Sequence, residues 1–325
     1  MKLLSPSLVP GSAAPRVWPW WLLALSYYVS CCLMHLRFSI WLVRQRDTVL
    51  GQHAYAELVP LLATLAGAAL LLWLIYRLRH SPRPWLTTTY WLLWLVSAAL
   101  IDHYLTFSIN EYAHYPQYAF LAWLLARAMD PQRKRWYVGR VLFWSTLLGM
   151  GDELLQYLWI TTSYSEYLDF NDFLSNLVAA AGGMLLYYGT ANAPPSLSPR
   201  RKPVLELTVT GAIVLALLLG FQSGRLAYSS AEKIPPGGIG QNLVGGHTLY
   251  LQRGPDFYGS WPSGPRHGRY HVLAPVPAVL LLALVGWLFG SYRTVMARSA
   301  AGGPYQPFRI KTCHACASID ETFSG

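Results

Sequence analysis

The sequence predicts an all-α, polytopic transmembrane helix bundle of about eight spans, with a small irregular or β-containing outer loop. Three observations carry this. Hydrophobic residues make up 54% of the 325-residue chain and charged residues only 12%, where soluble domains carry about 25%. The apolar residues are gathered into runs near the ~20 residues that cross a bilayer as a helix. Lys and Arg fall in alternate loops between those runs, as cytoplasmic loops require.

The eight runs are 17–36, 55–78, 84–107, 112–129, 138–160, 170–190, 204–222 and 272–292. The first follows the Pro-rich "SPSLVPGSAAPRVWPWW", which lacks a small-residue cleavage site, and is read as a retained helix. The fourth is short, and the fifth and sixth carry acids. "NAPPSLSPRRKP" is a turn-rich break between the sixth and seventh. The segment between the seventh and eighth is rich in Gly, Pro and aromatics, and its "HTLYLQR" alternates like a short strand. The chain divides into a three-span segment at 1–109, a core at 110–190 and a two-span segment at 191–325. The last includes an outer loop at 223–271 and a cytoplasmic tail. The lone C-x-x-C of that tail, Cys313 and Cys316, has too few ligands for a zinc site and reads as unstructured tail. Cys31 and Cys32 lie inside the first run.

Placing the runs alternately leaves 17 of the 25 Lys and Arg on one side, which also holds both termini. That side is therefore expected to be cytoplasmic in a cell membrane. The net charge of +10 would suggest nucleic acid in a soluble protein, but this distribution assigns it to topology and leaves no nucleic-acid partner. The bilayer itself is the first partner. Acids do the opposite: 11 of 15 fall towards the outer side, although acids contribute little to topology.

Helical rise explains where those acids go. At 1.5 Å per residue, Glu153 on the fifth run and Asn176 on the sixth each lie about 10 Å below the outer end. His114 sits near the mouth of the fourth run with Tyr118 one turn deeper, and Asp102 lies in the last turns of the third. His114 and Tyr118 are i, i+4; Glu153 and Gln156 are i, i+3; Asp172 and Asn176 are i, i+4. Each pair therefore shares a face. Asp152 points about 100° away from Glu153 and is left open between supporting the site and snorkelling at the lipid edge. Asp169 is read as a helix cap, and Glu111 as a loop-end acid. The excess of acid predicts that an arginine reaches the cup: Arg37, Arg225, Arg253, Arg266 or Arg269.

"HYPQY", "DELLQ" and "DFLSN", in that order on consecutive runs with Gly183 following, resemble the VanZ-like family, named for a teicoplanin-resistance protein. The resemblance covers about residues 110–190. Glu111 stands where that family has a Lys, no Arg lies between Gln156 and Asp172, and Ala179 stands where a first glycine is common. The resemblance implies a cell-envelope membrane protein and carries no established reaction.

Three functions fit. The first is an outward-facing polar cup that binds a lipid-linked or peptidoglycan-related ligand, with a role like glycopeptide resistance. There Gln156, Asn176, Tyr118 and Asp102 hold polar groups. The second is an enzyme in which Glu153, His114 and Asp172 do acid–base chemistry on such a substrate. The third is an ion or proton site, since Asp, Glu, His and Asn suit hard cations. No metal-ligand motif and no cofactor is assigned from the sequence. No P-loop, H-E-x-x-H or Ser-His-Asp order is present.

Overall fold

The computed structural model describes residues 17–46, 59–79, 81–107, 109–157, 168–195, 202–229, 249–252, 259–260 and 269–301. Cys313 and Cys316, Glu166 and most of the outer loop lie outside them. Each of the eight apolar runs forms a helix: α1 (Trp18–Arg46), α2 (Val59–Arg79), α3 (Pro84–Leu105), α4 (His114–Met129), α5 (Val138–Leu155), α6 (Phe170–Tyr188), α7 (Val204–Gln222) and α8 (Pro275–Gly290). A further short helix, α9 (Tyr292–Ala301), follows α8 directly.

Among the described residues, three helical stretches are long and apolar enough to cross a membrane: Pro84–Leu105, Val204–Gln222 and Pro275–Ala300. That is fewer than the expected count of about eight spans. The helices of the site fall short for a physical reason. α4 has only 16 residues, and α5 and α6 carry the acids and amides of the site in their outer turns.

Local chemistry sets the helix ends. Pro84 and Pro275 open α3 and α8, where a missing N–H costs nothing. Asp169 caps α6 by accepting from the Asn171 N–H at 2.9 Å. α1 runs about ten residues beyond the predicted end at 36. No Gly or Pro lies between Pro19 and Gly51, and "SIWLV" continues the apolar run past Arg37. Beyond α5 the chain makes a wider, π-type turn at Gln156 and Tyr157. The outer segment contributes two short strand pairs. Leu226–Ser229 runs parallel to Leu249–Gln252, inside the predicted "HTLYLQR", and Gly259–Ser260 runs antiparallel to His271–Val272.

α6 is the axis of the bundle, with α3, α4, α5 and α8 packed round it and α1 against α4. Nearly every residue from Phe170 to Tyr188 is buried. Small residues make this possible. A Cβ on Gly183 would lie 1.9 Å from the Ala119 carbonyl oxygen, so α4 and α6 touch backbone to backbone there. α7 is the opposite case. Most of its side chains are exposed, and its one buried residue, Glu206, pairs with Arg140 of α5 at 2.9 Å. Leu207 is 66% exposed and Trp287 of α8 is 71% exposed. Apolar surface on this scale is suited to lipid rather than water.

The two ends of α6 differ in charge. At its C-terminal end Arg77 donates to the Thr190 carbonyl at 2.6 Å, and Arg133 lies 4.4 Å from the Tyr187 ring centre. The loop between α4 and α5 is folded there round Asp130. Its carboxylate accepts from the N–H groups of Lys134, Arg135 and Trp136 at 3.1, 2.9 and 2.7 Å. The acids of the site lie at the other end. Asn176 and Thr190 are about 21 Å apart along the helix.

Candidate functional site

The local sequence explains why polar groups meet at this depth. His114 opens α4 directly after a 3₁₀ turn, Ile109–Ala113, and so faces α6 from the helix mouth. Asn176 is fully buried, two turns into α6. Gly149 of α5 gives it room, since a Cβ there would stand 3.1 Å from the Asn176 amide nitrogen. Glu153 lies one turn beyond Gly149 on the same helix and is 6% exposed.

The three join in one group. His114 Nδ1 and Asn176 Oδ1 are 2.7 Å apart. Asn176 Nδ2 donates to Glu153 Oε1 at 3.5 Å, and Gln156 Nε2 donates to the same oxygen at 3.5 Å. The imidazole lies between two carboxylates: Nδ1 is 3.8 Å from Glu153 Oε1, and Nε2 is 3.8 Å from Asp172 Oδ1. The Asp172 side chain is 15% exposed, against 5% for His114, so the group opens on its Asp172 side. One donor atom each from His114, Glu153 and Asp172 lie within 4.8 Å of one another, a set that could hold a metal ion.

Asp152 belongs to a second layer. It is fully buried, which excludes snorkelling at the lipid edge. Tyr118 donates its hydroxyl to Asp152 Oδ2 at 2.6 Å, and Gln117 Nε2 donates to the same atom at 3.5 Å. Among the described residues, Asp152 Oδ1 has no hydrogen-bond partner. The layers are coupled by ring stacking, with the Tyr118 and His114 planes 8° apart and their centroids at 6.0 Å.

The structure therefore brings together five of the expected residues: His114, Glu153, Gln156, Asp172 and Asn176. Tyr118 supports them from beneath through Asp152. Asp102 stands outside the trio: it accepts a hydrogen bond from the Tyr112 hydroxyl near the helix mouth. Glu111 accepts from the Phe107 N–H at 2.9 Å and closes the turn after α3. Among the described residues, no arginine pairs with Glu153 or Asp172. His114 lies 3.8 Å from both Glu153 and Asp172 and pairs with them as an ion when its ring is protonated. Arg253 and Arg266 lie outside the described residues.

Sequence reasoning missed two residues. Gln117 is buried under the site, and its signal was an amide three residues after His114 on an apolar helix. Asn171 clamps the mouth. Its Nδ2 donates to the carbonyls of Leu105 and His271 at 3.1 and 2.8 Å, and its Oδ1 accepts from the Leu273 N–H at 3.0 Å. Nothing local marks it, because all three partners are more than 60 residues away.

Comparison of the chain with family models, with curated proteins and with solved structures gives no match.

Proposed function

We propose that this chain is a VanZ-like, multi-pass protein of the cell membrane with both termini cytoplasmic. In this reading all eight helices lie in the bilayer, and the polar cup opens outwards. The cup binds the polar end of a lipid-linked or envelope-derived ligand. The observation that carries the reading is the union of His114, Glu153 and Asn176, from three successive helices, in one buried hydrogen-bonded group. Ionisable groups at such depth are costly and are kept for a purpose.

Two further features support it. The basic loops gather at the far end of α6 from the cup, as an inside-positive topology requires. An apolar groove of about 400 Å³ runs between α5, α7 and α8, lined by Leu142, Leu147, Met150, Leu177, Val214 and Leu282. Met150 precedes Glu153 by one turn, and Leu177 follows Asn176 in the chain. An acyl chain in the groove would bring its headgroup to the cup.

The test is retention of lipid. The protein is purified in mild detergent, exposed to vesicles of the host's total polar lipid, washed, and its bound lipid identified by mass spectrometry. Wild type retains a specific lipid, whereas Asn176→Ala loses it. Equal retention by Asn176→Ala and His114→Ala, with unchanged glycopeptide susceptibility in cells, refutes the reading.

A second reading rests on the imidazole standing between two carboxylates, an arrangement suited to proton transfer. As an enzyme, the protein would use Glu153 as acid or base, with His114 sharing the proton and Asp172 orienting it. Glu153→Gln would then abolish turnover while the lipid stays bound. A pure binding protein shows no turnover in either form.

A further inference from the structure

We propose that His114, Glu153 and Asp172 bind one divalent transition-metal ion at the floor of the cup. The inference rests on the cup being a ligand site, and it names a cation as a resident part of what the cup holds.

The argument begins with the imidazole tautomer. The Asn176 amide nitrogen donates to Glu153 Oε1, which turns its oxygen towards His114. An amide oxygen only accepts. The 2.7 Å contact is therefore an Nδ1–H donating to Oδ1. In the neutral ring the remaining lone pair is then on Nε2, which lies 3.8 Å from Asp172 Oδ1. A cation between that lone pair and the carboxylate, whether a proton or a metal ion, joins the two groups.

Charge points the same way. Glu153 and Asp172 bring two carboxylates to the group, and among the described residues neither has a Lys or Arg partner. A doubly charged ion would balance the two carboxylates.

The geometry is close to what such an ion needs. Bonds of 2.0–2.2 Å in a tetrahedral site separate donors by about 3.4 Å. The donors here lie within 4.8 Å, with Nε2 and Asp172 at 3.8 Å. Contraction by up to about 1.4 Å is within reach of carboxylate rotamers. Asn176 takes the part that a carbonyl commonly plays behind a metal-bound histidine, fixing the tautomer through the other ring N–H. One imidazole with two carboxylates suits zinc, manganese or iron better than calcium or magnesium, which prefer oxygen alone. The partly open Asp172 side leaves a coordination position for water or for a ligand's anionic group.

The test uses metal alone, with lipid stripped. Purified protein is equilibrated with Zn²⁺ or Mn²⁺ and its metal content measured. Wild type takes up about one ion per chain, and its melting temperature rises with metal concentration as mass action requires. Glu153→Gln and Asp172→Asn keep side-chain shape but lose most of the uptake, and His114→Ala loses it entirely. Asn176→Ala keeps the three ligands and binds about 10- to 100-fold more weakly, the usual effect of removing such a support. Asp102→Asn, outside the trio, binds like wild type. Absence of uptake by wild type overturns the proposal, as does equal uptake by His114→Ala and Asp172→Asn, or equal loss in Asp102→Asn. Metal uptake without lipid retention would refute the ligand reading alone. Lipid retention without metal would refute this inference alone.

Discussion

Gly183→Ala tests whether the backbone contact between α4 and α6 builds the site. The added Cβ would stand 1.9 Å from the Ala119 carbonyl oxygen, and 2.6 and 2.8 Å from that residue's C and Cα. These are backbone atoms, so no side chain can turn away. Reaching ordinary contact at 3.4 Å requires the helices to separate by about 1.5 Å. α4 carries His114 and α6 carries Asn176. If the separation extended to their 2.7 Å hydrogen bond, it would open to about 4.2 Å, beyond any hydrogen bond. The expected cost is at or above the ~3 kcal/mol end of the range for overpacking. The assay is thermal unfolding in detergent, with metal uptake read on whatever remains folded. Gly211→Ala is the control: nothing lies within 4 Å of a Cβ there, and alanine gains up to about 1 kcal/mol of helix propensity over glycine. The reasoning fails if Gly183→Ala melts with wild type, or if it is no worse than Gly211→Ala.

Asn171→Ala removes the clamp on Leu105, His271 and Leu273 and should cost about 3 kcal/mol, at roughly 1 kcal/mol per hydrogen bond. Thermal unfolding measures this, and faster proteolysis between residues 259 and 273 should accompany it. Asp130→Ala leaves three backbone N–H groups without their carboxylate and should destabilise by about 3 kcal/mol or more. Asp130→Asn should recover part of the loss; equal melting of wild type and Asp130→Ala would count against the loop's role. For orientation, a single cysteine at the exposed Lys134 should resist an impermeant thiol reagent in intact cells and react after lysis. Labelling without lysis would invert the proposed topology.

The eight helices and the depth of the polar residues were legible in the sequence because both depend on quantities local to one segment. Apolar run length sets helix existence, and rise per residue sets how far Glu153, Asn176 and His114 sit from an end. Spacing also identified which residues share a face, and Asp169 as a cap. It could not set how each helix rotates against its neighbours. Only packing decided that Glu153 faces His114 while Asp152 turns to Tyr118 and Gln117. The rotation follows from where helices come close, at Gly183 against Ala119 and at Gly149 against Asn176. Contacts of that kind join residues far apart in the chain and leave no periodic trace. Counting acids reveals a charge imbalance, but only three-dimensional placement reveals that a histidine stands between them. Asn171 is the extreme case, a single polar residue whose role exists only once α3, α6 and the start of α8 have met.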